Sequence, residues 1–325
     1  MNNLPNLIKS IKNNFVYIQT HNYPDPDALA SAAGMQEILR QHGISSLVCY
    51  TGLIEKANAL AMLELSNLAT TSSAKILLRP EDEIILVDCQ KGNANVDSFA
   101  ANEVACIDHH KLEYTGDYRY FDIRPDAGSC SAIVASYFYE GKLPISTQLA
   151  TILMYGIQTD TASLTRGVSQ LDVDMFSYLF RYADSVILHR LASCNLTKHD
   201  LVSYENAIEN LRIEDAFAYT DVGPDCPEAI IGTLSDFILT ITEIHLALVY
   251  SMRAGGVKFS IRSESGFYDC ADMIKKALKG FGSGGGHAEM AAGFVPNVSD
   301  AKAAAHIITT VIERLKKELP SVEAV

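Results

Sequence analysis

The chain has 325 residues and a mass of 35.5 kDa, enough for two domains or one large one with an ample core. Apolar residues make up 48% and charged residues 20%, which excludes disordered, collagen-like and low-complexity chains. Lys and Arg number 26 against 39 Asp and Glu, a net charge of −13, so no general attraction to DNA, RNA or an anionic membrane is expected and an anionic ligand needs a local site.

Apolar β-rich runs alternate with helical patterns through the first half. They are FVYIQT (15–20), helical DALASAAGMQEILRQH (27–42), LVCY (47–50), helical KANALAMLEL (56–65), IILVD (84–88) and VACID (104–108). That rhythm predicts a mainly parallel, doubly wound sheet with helices on both faces. YRYFDI (118–123) follows, then helical stretches at 129–141 and 146–161 and a longer one at 171–193. The remainder has its own βα cycle. A polar-faced helix at 198–215 precedes the runs AIIGT (229–233), HLALVYSM (245–252) and VKFSIRS (257–263). A helix at 270–279, a Gly-rich turn and a closing helix from about 299 complete it. The expected organisation is α/β throughout: a first domain over 1–190, and a smaller α/β domain over 191–325 that includes a connecting helix at about 191–215. A cleft between two domains is the natural place for a ligand.

The seven cysteines are Cys49, Cys89, Cys106, Cys130, Cys194, Cys226 and Cys270, an odd number with no Cys-x-x-Cys pair, and they read as reduced packing residues. The N-terminal MNNLPNLIKSIKNNF lacks the apolar core of a signal peptide, and no uncharged apolar run approaches a membrane span. The expected compartment is the cytoplasm.

Carboxylates and imidazoles recur where apolar strands end. His21, Asp25 and Asp27 stand in THNYPDPDALASA, directly after the first strand, at the edge where open α/β sheets place their sites. Taken alone, Asp27 reads as a cap of the following helix and Asp25 as a turn residue. Asp88 ends IILVD; Asp108, His109 and His110 follow VACI; and Asp160 ends an apolar helix, where a capping role is electrostatically unfavourable. Hard carboxylates mixed with imidazole, without thiolate, suit Mn²⁺, Mg²⁺, Co²⁺ or Fe²⁺. Aspartates crowded in this way repel one another unless cations join them. Two metals about 3.5–4 Å apart, bridged by one carboxylate, activate water and clamp a phosphoryl group, so the pattern suggests metal-dependent hydrolysis.

In that order, THNYPDPDALASA, IILVD, CIDHHK and GIQTDT resemble the four motifs of the DHH phosphoesterase superfamily. The segment RSESGFYDCADMIKKALKGFGSGGGHAEMAAGF resembles the Gly-Gly-Gly-His region of the DHHA1 domain found in nanoRNase/pAp phosphatases and stand-alone cyclic-dinucleotide phosphodiesterases. The resemblance runs from about residue 15 to 295. It implies two divalent ions, Mn²⁺ first among them. His21 and Asp25 would bind one metal, Asp27, His109 and Asp160 the other, and Asp88 would bridge. Asp108 would orient a ligand histidine, and His110 would touch the scissile phosphate. A hydroxide bridging the metals would attack. In the second domain Arg262, Ser263, Gly284, Gly285, Gly286 and His287 would bind substrate, the glycines through a nest-like turn.

The sequence departs from the nanoRNase pattern at two places. Ala162-Ser163-Leu164 stands where Gly-x-Phe is common, and three residues rather than two separate His287 from Ala291-Ala292-Gly293. Both fall where substrate would be sensed. The expected partner is a short nucleotide such as nanoRNA, pAp or a linear or cyclic dinucleotide, with no long duplex and no membrane; a homodimer is open. Two alternatives stand beside this: an inorganic pyrophosphatase or exopolyphosphatase-like hydrolase, since the first motifs also resemble family II pyrophosphatase, and a non-catalytic nucleotide-binding regulator.

Overall fold

A computed structural model describes residues 3–54, 57–66, 68–93, 95–111, 117–193, 196–264, 266–298 and 300–319. Cys194, and Lys56, Ser265 and Ser299 within or at the edge of expected segments, lie outside them. Contacts divide the chain into two units, Met1–Asn195 and Leu196–Val325.

The first unit begins with α1 (Leu4–Ser10), β1 (Phe15–Gln19), α2 (Pro26–Gln41), β2 (Ser45–Tyr50), α3 (Ala57–Ser66) and β3 (Thr70–Ser72). It continues with β4 (Glu83–Val87), β5 (Asn102–Asp108), β6 (Tyr120–Ile123), α4 (Cys130–Gly141), α5 (Thr147–Asp160), α6 (Gln170–Phe180) and α7 (Ser185–Ser193). Its six strands form one sheet in the order β3-β2-β1-β4-β5-β6, with every neighbouring pair parallel. β4 is buried along its whole length, as a near-continuous apolar run in a parallel sheet should be. The chain winds outward from β1 to β3, then returns to the other side of β1 at β4. That reversal is a topological switch point, where the loops after two adjacent strands diverge and leave a crevice.

Ile18, Ile85, Val87, Val104 and Ile107 pack on α2, α4 and α5 in one core. Gly156 lets α5 approach closely: a Cβ there would stand 2.2 Å from Ser131 Oγ and 3.0 Å from the Ala30 Cβ. The ends of α2, α4 and α5 are thereby fixed against one another. At β4 and β5 the opposite face differs from the expected second layer of helices. Ile84, Leu86 and Cys106 are covered by Leu78, Val96, Phe99 and Ala101 from the connecting segments. The stretch read as one helix over 171–193 is two, α6 and α7. Asp184 breaks it: its N–H donates to Thr151 Oγ1 (2.9 Å), and its carboxylate accepts from the Val186 (2.8 Å) and Ile187 (3.2 Å) amides, starting a new helix.

The second unit comprises α8 (Asp200–Glu209), β7 (Arg212–Glu214), β8 (Phe217–Asp221), α9 (Glu228–Ile238), β9 (Leu246–Arg253), β10 (Gly256–Ser263), α10 (Cys270–Leu278), β11 (Ser283–Gly286), β12 (Met290–Pro296) and α11 (Ala301–Glu318). Its six-stranded sheet, in the order β11-β12-β10-β9-β8-β7, is mixed, with only β8 and β9 parallel. Three expectations change here. The helix expected over 198–215 ends at Glu209, and LRIED becomes a hairpin strand turning at Asp215 (φ 50°). AIIGT belongs to helix α9, whose Ile230, Ile231, Leu234 and Ile238 bury one face; a short apolar run does not distinguish strand from helix. The Gly-rich turn is strand β11, paired antiparallel with β12.

The fold is therefore α/β, a parallel six-stranded sheet unit followed by a smaller mixed one. Cys49, Cys89, Cys106, Cys130, Cys226 and Cys270 are buried, as packing residues should be. None of the described helices is long and apolar enough to cross a membrane.

Candidate metal centre

The loops after β1 and β4, flanking the switch point, carry the first group of side chains. Asp25 caps α2, its Oδ1 accepting from the Ala28 amide at 3.0 Å. Asp27, within the first turn of α2, is fully buried and serves a different helix: Oδ2 accepts from the Cys130 amide (2.7 Å) and Oδ1 from the Ser131 amide (2.9 Å), at the N-terminus of α4. Asp25, read from the sequence as a turn residue, is thus the cap of α2, and Asp27, read as that cap, serves α4 instead. Pro26 at the start of α2 sets Asp25 in the capping position, and the close α2–α4 packing offers Asp27 two amides that sequence neighbours do not supply.

Asp88 leaves β4 in the left-handed region (φ 60°), which Asp tolerates better than most residues, while its N–H remains bonded to Ile107 O at 2.9 Å. Its buried carboxylate faces two ways. Oδ2 lies 3.6 Å from His21 Nε2, and Oδ1 lies 3.3 Å from His109 Nε2. His21 Nε2 is also 3.9 Å from Asp25 Oδ1, and His109 Nε2 is 3.3 Å from Asp160 Oδ2 at the end of α5. Both rings turn Nδ1 to a backbone carbonyl, His21 to Asn22 O at 2.9 Å and His109 to Ala127 O at 3.2 Å. A neutral imidazole donating from Nδ1 would offer its Nε2 lone pair to a cation held between it and the carboxylates, the arrangement of metal-ligating histidines.

Three sets of donor atoms lie within 4.8 Å of one another: His21, Asp25 and Asp88; Asp27, His109 and Asp160; Asp88, His109 and His110. The sets interlock through Asp88 and His109. Among the described residues Asp88 Oδ1 is buried without a hydrogen bond of normal geometry, a costly state for a carboxylate oxygen. Burial, then the charges of Asp160 and Asp88, push the Asp27 carboxyl well above the usual range; burial raises Asp88 too. Burial opposes charge on His21, but the hydrogen bond and charge of Asp25, with Asp88, outweigh it and lift the ring to about 10. A cluster that holds protons so firmly lacks positive charge, and its oxygen and imidazole donors fit hard or borderline divalent cations.

Asp108 and His110 stand beside this cluster. Asp108 Oδ1 accepts from His110 Nδ1 and from the His109 amide, each at 2.8 Å, and Oδ2 accepts from Gln90 Nε2 at 2.7 Å. Asp108 therefore orients His110, while the rings of the two candidate ligand histidines, His21 and His109, turn to the carbonyls of Asn22 and Ala127. Burial works upward on Asp108, but the His110 and Gln90 bonds outweigh it and hold its carboxyl below the usual range.

Residues 15–157 match the DHH family, N-terminal domain, and residues 214–317 match the DHHA1 domain. The chain belongs to the DHH phosphoesterase superfamily. It is 26% identical over 304 residues to the cyclic-di-AMP phosphodiesterase GdpP of Geobacillus thermodenitrificans, covering 87% of this chain and 45% of that one. It is 29% identical over 150 residues to the probable bifunctional oligoribonuclease and PAP phosphatase NrnA of Streptococcus mutans, covering 45% of each. The crystal structure of an exopolyphosphatase-related protein from Bacteroides fragilis shares the fold, with a TM-score of 0.72, 18% identity and coverage of 97% and 96% of the two chains. The chain spans about half the length of the first curated relatives it matches.

In the DHHA1 domain the candidate substrate residues gather at one end of the sheet, where β10 finishes at Ser263 and β11 at Gly286. Arg262 is already engaged: Nε donates to Asp236 Oδ1 at 2.8 Å and Nη1 to Ser260 Oγ at 3.0 Å. Ser263 is buried, its hydroxyl donating to Glu264 O at 2.9 Å. The backbone N–H of His287 donates to Met290 O at 2.7 Å, closing the turn between β11 and β12. The glycines answer to packing. A Cβ on Gly284 would lie 2.9 Å from Ala292 O, and one on Gly286 (φ 148°) 2.4 Å from Met290 O.

Sequence reading missed the residues that hold the DHH-domain site in place. Gln90 and the Ala127 carbonyl carry no motif. Asp172 is signalled only by the capping box Ser169-x-x-Asp172, yet its buried carboxylate also accepts from the Gly128 amide (2.8 Å) and Ser129 hydroxyl (3.0 Å), fixing the start of α4.

Proposed function

We propose that the chain is a divalent-metal-dependent phosphoesterase that hydrolyses phosphate esters of short nucleotides, including linear or cyclic dinucleotides. The observation that carries this reading is Asp88, whose two oxygens face His21 on one side and His109 on the other. His21, Asp25 and Asp88 would hold one ion, and Asp27, His109 and Asp160 with Asp88 a second. Both Asp27 oxygens accept an amide hydrogen bond yet keep a second lone pair for a cation. Mn²⁺ suits this donor set, with Mg²⁺, Co²⁺ or Fe²⁺ as substitutes. When bound, such ions act as Lewis acids that lower the pKa of water and draw charge from phosphoryl oxygens.

Hydrolysis joins the water oxygen to phosphorus and breaks the P–O ester bond, and the departing oxygen leaves with a proton. His110, held by Asp108 and one-third exposed, would hold or move that proton beside the ester. Asp108 fixes the ring and favours its charged form. Small nucleotides are favoured over long duplexes by the net charge of −13 and by the substrates named for GdpP and NrnA. In the DHHA1 domain, Arg262, Ser263, Gly284, Gly285, Gly286 and His287 are the proposed substrate contacts.

The test is a panel with Mn²⁺-loaded protein: pAp, pApA, cyclic di-AMP, longer RNA and pyrophosphate, with products separated chromatographically. Release of AMP from pAp or pApA, or of linear pApA from cyclic di-AMP, supports the reading. Turnover of pyrophosphate alone, or of nothing, contradicts it.

A further inference from the structure

The loop between His21 and Asp25 holds an aromatic ring that neither the core nor the metal cluster requires. Tyr23 has φ 56°, a region that is costly for a bulky side chain, and it is 61% exposed. Its surroundings hold it there. The Tyr23 amide donates to Thr51 O and the Asn22 amide to Asn95 O, both at 2.7 Å. The Asp97 carboxylate accepts from Asn22 Nδ2 (2.9 Å) and Thr51 Oγ1 (2.8 Å), tying the loops after β1 and β2 together. The ring lies over Gly52, where a Cβ would come within 2.6 Å of Tyr23 Cδ1. Glycine thus makes room for an aromatic ring laid on the backbone at the same sheet edge as His21 and Asp25.

Strain of this kind persists where neighbours over-determine it, and it concentrates at functional sites. An exposed ring recovers little of that cost by burial. We infer that Tyr23 is a substrate-contact residue whose ring stacks on the nucleobase of the ester bound at the metal cluster. This rests on the nucleotide-phosphoesterase reading above. A flat, neutral π face accepts any base, so the contact selects nucleotides over sugar phosphates without selecting among bases. It also places a specificity element inside the DHH domain.

AMP and ribose 5-phosphate differ only in the base, and their binding to the Mn²⁺-loaded full chain is measured by calorimetry for wild type, Tyr23→Phe and Tyr23→Asn. Asn accepts the left-handed backbone readily, so this substitution removes the ring and relieves the strain. The expected result is an AMP preference of about tenfold in wild type and Tyr23→Phe, abolished in Tyr23→Asn, whose Tm equals or exceeds that of wild type. Retention of the preference in Tyr23→Asn overturns the inference. So does a lowered Tm with both ligands weakened alike, which would make the ring structural. Equal binding of the two ligands by wild type overturns the inference and leaves the phosphoesterase reading standing. Binding of neither ligand overturns the inference, while the turnover panel decides the phosphoesterase reading separately.

Discussion

His110 Nδ1 lies 2.8 Å from Asp108 Oδ1, and the same oxygen accepts the His109 amide, so one buried carboxylate sets the ring of His110 and the backbone that delivers His109. The two adjacent histidines are given separate anchors: Asp108 for the ring of His110, Ala127 O for that of His109. Their jobs should separate in the same way.

His110→Ala is expected to keep its metal content and lose about 10²–10⁴-fold in turnover, the usual contribution of a positioned acid or electrostatic group. Metal analysis and rates on the same preparation check this. Loss of metal would mean that His110, which also falls in one of the three donor sets, is a ligand.

Metal binding should release protons. His21 is held up to about 10, and Asp27 and Asp88 are raised above the usual carboxylate range, so the metal-free cluster carries protons at neutral pH that cations must displace. Mn²⁺ affinity should therefore rise with pH through the neutral range. Calorimetry in buffers of different ionisation enthalpy counts the protons directly. Removal of metal by a chelator should also lower Tm, since a ligand at about 100 times its Kd stabilises by about 2.7 kcal/mol.

Asp172 belongs to none of the three donor sets yet should govern them through the start of α4. Asp172→Ala removes the acceptor for the Gly128 amide, the Ser129 hydroxyl and the Ser169 amide in a buried region, at an expected cost of about 2–4 kcal/mol. Thermal unfolding should show a drop of several degrees, and Mn²⁺ affinity should fall with it, because Ala127 and the α4 amides that hold His109 and Asp27 lose their anchor.

Much of the DHH domain was legible because its strands are apolar runs ending in polar residues, a pattern fixed by the parallel sheet itself. Asp25 and Asp27 show where such reading stops: both were seen as candidates, but which helix each caps depends on α4, about a hundred residues away in sequence. AIIGT failed as a strand because a five-residue apolar run has no period of its own, and helix α9 emerges only when Leu234 and Ile238 join the same face. Gly284 to Gly286 suggested a phosphate turn, whereas their spacing also serves a strand pressed against Ile274 and Ala292. Arg262 suggested an available guanidinium; its partner Asp236 lies on another element.

The central claim, that Asp88 serves two cations at once, is tested by metal stoichiometry in Asp88→Asn. Asn fits the left-handed backbone at this position, so the fold should survive, while an amide cannot neutralise two divalent ions. The account predicts two Mn²⁺ per chain in wild type, and at most one in Asp88→Asn, with unchanged secondary structure and no hydrolysis. An Asp88→Asn protein that retains two Mn²⁺ and near-normal turnover would contradict it.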